Sequence, residues 1–154
     1  MGVEIERKFL VRDMTVLAGV EGIPYRQGYL STDPQRTVRV RRAGDRAFLT
    51  IKGLSEGATR AEFEYAIPVE DAEAMFLQCL PPIVAKVRHR VPHAGLTWEV
   101  DVFGGENEGL VVAEVEIPSQ VTAVVLPPWV GDEVTDDPRY FNANLVAHPY
   151  RDWR

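Results

Sequence analysis

Two pairs of glutamates, each spaced two residues apart, stand far apart in this sequence. Glu4 and Glu6 form one pair, and Glu114 and Glu116 form the other. Side chains two residues apart in an extended strand point to the same side, so each pair presents two carboxylates together. Carboxylate oxygens are the ligands that hard divalent cations such as Mg²⁺ and Mn²⁺ prefer. One Glu-x-Glu pair is common by chance, whereas two pairs combined with basic pairs of the same spacing favour a metal site.

Arginines and lysines follow the same spacing as these glutamates. Arg39 lies two residues from Arg41, and Lys86 lies two residues from Arg88. Guanidinium and ammonium groups bind phosphate oxygens well, so several basic pairs suit a polyanion. The glutamates alone would repel a phosphate chain, but a divalent cation accepts carboxylate oxygens on one side and phosphate oxygens on the other. The two sets of charges therefore predict a site for a phosphate chain with Mg²⁺ or Mn²⁺.

These charged residues lie in segments in which charged and apolar residues alternate, which is the pattern of β-strands with two different faces. Seven segments show the alternation, at residues 4–9, 38–41, 49–52, 62–65, 86–91, 98–102 and 114–117. Turn sequences such as residues 31–34 and 43–45 separate them. The short spacing between the segments favours antiparallel strands over parallel strands joined by helices.

Helical patterns are short and bounded by proline. The sequence predicts three helices, over residues 69–80 before Pro81-Pro82, over 119–126 before Pro127-Pro128, and over 139–147 after Pro138. Residues 14–20 fit neither pattern clearly. No internal repeat or linker divides the chain, so we predict one domain over residues 1–154, mainly β with a few short helices (α+β).

The charged faces of such strands usually face water. Here they carry few Ser, Thr, Asn or Gln residues, and acidic and basic pairs are sorted onto different segments. Both features favour a sheet that closes into a barrel with its charges inside, where about eight strands leave room for a small ligand. Unpaired buried charges are costly, so water, mutual pairing or a highly charged ligand must satisfy them. The interior would hold six cations (Lys8, Arg39, Arg41, Lys52, Lys86, Arg88) and eight acids (Glu4, Glu6, Glu62, Glu64, Glu99, Asp101, Glu114, Glu116).

Composition and charge exclude several classes of protein. The 154 residues are 45% hydrophobic and 26% charged, as in an ordinary globular protein. A net charge of −6 argues against binding to nucleic acid or to an anionic membrane surface. The single cysteine, Cys79, excludes an internal disulfide. Alternating charges near Met1 do not fit a signal peptide, and no apolar run approaches the ~20 residues of a membrane span, so we expect a cytoplasmic protein.

The ordered series of motifs resembles the CYTH superfamily, the triphosphate tunnel metalloenzymes. Residues 4–8, Glu-Ile-Glu-Arg-Lys, are similar to the Glu-x-Glu-x-Lys signature of that superfamily. The resemblance continues in the family's order through residues 27–30, 38–41, 50–53, 62–65, 86–88, 98–103, 113–116, 131–135 and 140–142. Each motif is modest by itself, but the whole series is specific and covers almost the whole chain.

The resemblance implies an eight-stranded antiparallel closed β-barrel, the triphosphate tunnel, with a few short helices packed outside. It also implies a role for each matching residue. Metal ligands would be Glu4, Glu6, Glu114 and Glu116, and phosphate-binding residues would be Lys8, Arg39, Arg41, Lys52, Lys86 and Arg88. The catalytic group would comprise Glu4, Glu6, Lys8, Lys52, Lys86 and Glu116. The acids Glu62, Glu64, Glu99 and Asp101 would orient the basic residues or help to hold a second metal and a water, and Tyr29 either bonds a tunnel lysine or is an ordinary strand tyrosine.

Within that family, the predicted activity is metal-dependent hydrolysis of the terminal phosphate of inorganic triphosphate, or of a related small molecule that bears a triphosphate. The cofactor would be Mg²⁺ or Mn²⁺. Two alternatives stay open, namely an adenylate cyclase of the same fold and a non-catalytic module that binds polyphosphate or nucleotide. Apolar barrel surface beyond the reach of the short helices would suit burial in a homodimer.

Overall fold

The computed structural model describes residues 2–153, which contain nine β-strands and one α-helix. The strands are β1 (Val3–Val11), β2 (Gly22–Ser31), β3 (Thr37–Ala43), β4 (Arg46–Lys52), β5 (Thr59–Ile67), β6 (Leu80–His93), β7 (Leu96–Phe103), β8 (Val111–Glu116) and β9 (Val130–Glu133). The helix, α1 (Val69–Phe76), lies between β5 and β6. Within residues 2–153 no helix is long and apolar enough to cross a membrane.

Eight of these strands form a closed antiparallel barrel, as predicted. They are hydrogen-bonded in the order β5-β4-β3-β2-β6-β7-β8-β1, and β1 pairs with β5 to close the ring. The closing contact is short and places Glu4 opposite Arg60. The ninth strand, β9, pairs with the last residues of β1, where Val11 lies opposite Val130. Closure leaves each of the eight strands with a partner on both sides, which removes the exposed edges of an open sheet.

The alternation of residue types sorts the two faces of the barrel. Apolar residues point outwards and pack beneath the helix and the connecting segments, so the hydrophobic core lies outside the barrel. Its clusters include Phe9, Trp98 and Trp129 on one side, and Val40 with Phe76 of α1 on another. The inward faces carry the charged residues, and this arrangement holds the acids and bases of distant strands around one space.

The helical predictions were partly wrong. The helix α1 ends at Phe76, and Pro81-Pro82 lie inside β6 rather than stopping a helix at residue 80. These prolines fall where the register between β2 and β6 shifts, between the pairs Gln27–Val84 and Tyr29–Leu80. A residue without an N–H is tolerated at such an irregularity because it interrupts no regular ladder bond.

The helix predicted over residues 119–126 is absent, since this segment begins with a bend and a turn at residues 119–121 and has no regular structure over residues 122–126. Its valines at 121, 124 and 125 are β-branched and disfavour a short isolated helix. Residues 139–147 form two 3₁₀ turns, Pro138–Tyr140 and Asn142–Leu145, separated by an extended Phe141. Another 3₁₀ turn covers Met14–Leu17 in the ambiguous segment. The barrel therefore has less helical cover than the sequence predicted.

Candidate functional site

The barrel encloses a polar cavity of about 290 Å³. It is lined by residues from all eight barrel strands and by Thr135, Phe141, Asn142 and Ala143 of the C-terminal segment. Every residue that the sequence analysis singled out lines this cavity except Asp101, which is 1% exposed and lies behind Lys86 and Arg88. The period-two pattern thus brings residues more than 100 positions apart into one site.

A buried ion-pair cluster supports the basic side of the cavity. Asp101 accepts two hydrogen bonds of 2.8 Å from Arg88 and lies 2.7 Å from Lys86 Nζ. Arg88 also reaches Glu114 at 3.0 Å and Glu99 at 3.2 Å. Burial by itself would raise the pKa of Asp101, but Lys86 and Arg88 outweigh it and hold that pKa below its usual value. The ionised Asp101 therefore fixes two cations in place.

Lys86 has an unfavourable environment for its positive charge. Burial lowers the pKa of Lys86 to about 7, with Arg88 and Arg41 adding to the lowering against the opposing effect of Asp101. Because nearby positive charge disfavours the ammonium form, an anion entering the cavity would stabilise it. Lys86 is thus well placed to gain from phosphate binding.

Two arginines of β3 supply positive charge that is less fully neutralised. Arg39 donates to Thr50 Oγ1 at 3.2 Å and to Glu64 at 3.4 Å, and its buried Nε has no hydrogen-bond acceptor among residues 2–153. Burial lowers the pKa of Arg41 to about 10, and repulsion from Arg39 and Arg88 adds to this lowering. This excess of positive charge in a confined space favours an anionic ligand.

The acidic side of the cavity is formed by β1 and β8. Glu6 lies opposite Glu116 in the pairing of these strands, and Lys8 lies opposite Glu114. Lys8 Nζ contacts Glu114 closely and lies 3.3 Å from Glu6. Burial raises the pKa of Glu6 to about 8, with repulsion from Glu114 adding to the effect. Burial also raises the pKa of Glu116, and here Glu4 supplies the largest repulsion.

Lys52 offsets only part of this negative charge. It lies 3.0 Å from Glu4 and 3.3 Å from Glu62. Burial would raise the pKa of Glu4, but Lys52 outweighs it and lowers that pKa. The lysines of β1 and β4 therefore neutralise Glu4 and Glu114, while Glu6 and Glu116 keep an unfavourable environment for their charges.

The chemistry of these donors fits a hard divalent cation. Their carboxylate oxygens are suitable ligands, and a cation would relieve the repulsion that raises the pKa values of Glu6 and Glu116. Within the part of the chain that the structure describes, no three His, Cys, Asp or Glu side chains already form a gathered metal site. Two of the four glutamates are held in ion pairs, Glu114 with Lys8 and Glu4 with Lys52. Metal binding through all four would require these pairs to rearrange.

Tyr29 has a different partner from the lysine considered in the sequence analysis. Its hydroxyl accepts a hydrogen bond of 3.2 Å from Gln27 Nε2. Gln27 lies two residues earlier on the same inward face, so its amide reaches the phenol directly. Tyr29 still lines the cavity and is 3% exposed.

The structure adds residues that the sequence analysis did not assign to the site. Arg60 and Arg90 line the cavity. Each lies two residues from a residue that was predicted to face inwards, Arg60 from Glu62 and Arg90 from Arg88. The period-two pattern was a usable signal for both. Arg60 donates to Gly53 O at 2.6 Å and to Thr37 Oγ1 at 2.8 Å.

Tyr25, Gln27 and Asn142 were also missed as site residues. The Tyr25 ring lies 5.0 Å from the guanidinium carbon of Arg41 and 4.9 Å from that of Arg88, both within the range of a cation–π contact. Asn142 enters from an irregular segment, which has no strand periodicity to reveal its direction. Its hydrogen bond with Lys86 therefore could not be predicted from the sequence pattern.

Comparisons with known proteins agree with this architecture. The profile of the CYTH domain family matches residues 2–150. An inorganic triphosphatase from Acetivibrio thermocellus is 47% identical over 155 aligned positions that cover 100% of this chain and 99% of the relative. Another inorganic triphosphatase, from Nitrosomonas europaea, is 38% identical and covers 93% of this chain and 96% of its own. The crystal structure of an inorganic triphosphatase superposes with a TM-score of 0.64 at 36% identity, covering 93% of each chain.

Proposed function

This chain belongs to the CYTH domain family, and we propose that it hydrolyses inorganic triphosphate to pyrophosphate and phosphate. The observation that carries the proposal is the single cavity in which cations from β3, β4 and β6 face glutamates from β1 and β8. A phosphate chain needs the cations, and a divalent cation that accompanies it needs the glutamates. The full-length similarity to two inorganic triphosphatases supports the same substrate.

The phosphate chain would lie along the basic side of the cavity. The residues proposed to bind its oxygens are Lys8, Arg39, Arg41, Lys52, Lys86 and Arg88. Carboxylates hold five of these six side chains in ion pairs, as Asp101 holds Arg88. Such fixed cations need little reorganisation when negative charge grows on the bridging oxygen of the leaving pyrophosphate.

The proposed metal ligands are Glu4, Glu6, Glu114 and Glu116. A bound Mg²⁺ or Mn²⁺ supplies Lewis-acid neutralisation of the phosphate charge. Glu6 and Glu116 would bind it in their ionised forms, since a nearby cation favours the carboxylate. With Lys8, Lys52 and Lys86, the residues Glu4, Glu6 and Glu116 make up the proposed catalytic group.

Catalysis would then consist mainly of positioning and electrostatic stabilisation. Water attacks the terminal phosphorus, the bond from that phosphorus to the bridging oxygen breaks, the pair of electrons leaves with pyrophosphate, and the proton of the attacking water is released to solvent. Phosphoryl transfer of this kind requires little covalent chemistry from the protein. The mixed set of acids and bases in the cavity suits this task.

A substrate panel tests the proposal. Release of phosphate is measured with tripolyphosphate, ATP and thiamine triphosphate, each with Mg²⁺, with Mn²⁺ and with a chelator, while cyclic AMP is measured with ATP. We expect metal-dependent release of phosphate from tripolyphosphate to exceed all other activities. Formation of cyclic AMP without free phosphate would instead establish the adenylate cyclase, and tight binding without turnover would establish the binding module.

A further inference from the structure

We propose that Gln27 is a positioning residue that orients Arg41 for phosphate without neutralising it, and that Asn142 joins this amide to Lys86. The inference rests on the proposed function, since it concerns how the same cavity holds its phosphate ligand. It concerns a motif, Gln27-Gly28, to which the proposed reaction assigns no role.

The contact between Gln27 and Arg41 is bidentate. Oε1 of Gln27 accepts hydrogen bonds from Arg41 Nε at 3.1 Å and from Nη2 at 3.0 Å. Gln27 is 0% exposed, and its neighbours leave its amide one arrangement, because Nε2 donates to Asn142 Oδ1 at 2.7 Å and to Tyr29 Oη at 3.2 Å. A guanidinium has five N–H donors, so this contact fixes the plane of Arg41 and leaves its other donors for a ligand.

The neutrality of this acceptor distinguishes Arg41 from the other predicted phosphate-binding cations. Among them, Arg41 alone makes no ion pair with a carboxylate in the described residues 2–153. Arg88, by contrast, contacts Asp101, Glu99 and Glu114. A carboxylate orients a guanidinium but cancels its charge, whereas an amide oxygen orients it and leaves the charge for the ligand. Arg41 is thus held by two hydrogen bonds to a neutral oxygen and keeps more positive charge for phosphate than Arg88 does.

Asn142 links Gln27 to Lys86, a cation that also pairs with Asp101. Oδ1 of Asn142 accepts from Lys86 Nζ at 2.8 Å as well as from Gln27 Nε2 at 2.7 Å. One amide oxygen therefore ties together a cation of β6 and the amide that orients a cation of β3. Because Asn142 belongs to the turn Asn142–Leu145, the chain of amides also fixes the C-terminal segment against the cavity.

A double-mutant cycle between Gln27→Met and Arg41→Ala tests the positioning role. Methionine keeps the length of the side chain but accepts no strong hydrogen bond. The dissociation constant of tripolyphosphate is measured by calorimetry in the presence of a chelator, so that turnover does not interfere. Because hydrogen bonds to charged groups contribute substantially, we expect Gln27→Met to weaken binding about tenfold alone and less than about twofold in the Arg41→Ala background. A tenfold loss in both backgrounds, or in neither, would overturn the role.

A second variant keeps the test decisive if Gln27→Met does not fold. In Gln27→Glu, a carboxylate can still accept both hydrogen bonds but neutralises Arg41. We expect weaker binding of tripolyphosphate by the folded variant, and binding at wild-type strength would contradict the inference. Val40→Ala, an equally buried change beside Arg41 on the outer face, serves as the control and should leave the dissociation constant unchanged.

Failure of this inference is separable from failure of the proposed function. Phosphate release by the wild-type protein is measured with the same preparation. An active wild-type enzyme in which neither Gln27 variant alters binding would refute the positioning role alone, whereas a wild-type protein that neither binds nor hydrolyses tripolyphosphate would refute both.

Discussion

Replacement of Arg41 by alanine should weaken substrate binding without weakening the fold. Arg41 lines the cavity and has no carboxylate partner among residues 2–153, so its charge is available to phosphate. Loss of a charge-assisted hydrogen bond costs about 1.5–3 kcal/mol, which corresponds to a rise of about 10- to 150-fold in KM. The cost to stability should be small, because burial and repulsion from Arg39 and Arg88 already lower the pKa of Arg41 to about 10. Removal of an unfavourably placed charge relieves that repulsion.

The assay pairs steady-state release of phosphate from tripolyphosphate with thermal unfolding. Val40→Ala is the matched control, since Val40 is the adjacent residue, is fully buried and packs outside the barrel with Phe76. It should lose about 2 kcal/mol of stability through removal of buried methyl groups and keep its KM. If KM and kcat were unchanged in both Arg41→Ala and Arg39→Ala, the assignment of these two arginines to the site would be refuted. Loss of activity in a stable Val40→Ala protein would contradict the assignment of faces.

Three further predictions follow from the acids. Glu116→Gln should fold normally, because burial already raises the pKa of this carboxyl, but should lose metal-dependent turnover about 100-fold or more. Wild-type turnover in this variant would contradict a role for Glu116 in the site. The folded protein disfavours the charged form of Glu6, whose pKa is raised to about 8 from the ordinary 4.5. The metal-free protein should therefore lose stability as the pH rises from 4.5 to 8, and its Mg²⁺ affinity should rise over that range. Thermal unfolding of Glu6→Gln should lack this dependence of stability on pH, and an identical dependence in the variant would contradict the assignment to Glu6. Asp101→Asn should cost about 3–5 kcal/mol in chemical denaturation because it leaves Lys86 and Arg88 buried beside an uncharged group, whereas Asp137→Asn, in an exposed pair, should change stability little.

Strands with a charged face and an apolar face could be predicted because the information is local. A residue such as Arg39 shares its face with Arg41 whatever the rest of the chain does, and the same holds for Glu4 and Glu6. Arg60 was not assigned to the site from the sequence, although its position two residues from Glu62 was a usable signal. Helix prediction was weaker, since residues 119–126 had a length and proline boundary that suit a helix but a valine content that does not.

The sequence by itself determined which side chains share a strand face, and closure of the barrel turned the charged faces inwards. Only the tertiary structure decided which of them touch. Barrel closure places Glu4 beside Lys52 and brings Asn142 from 115 residues away to Gln27. Such contacts depend on strand order, on register and on the path of an irregular segment. The alternation of charged and apolar residues contains no information about any of these. The same closure decides which charges are cancelled and which stay available, because desolvation acts on all of them but partners reach only some.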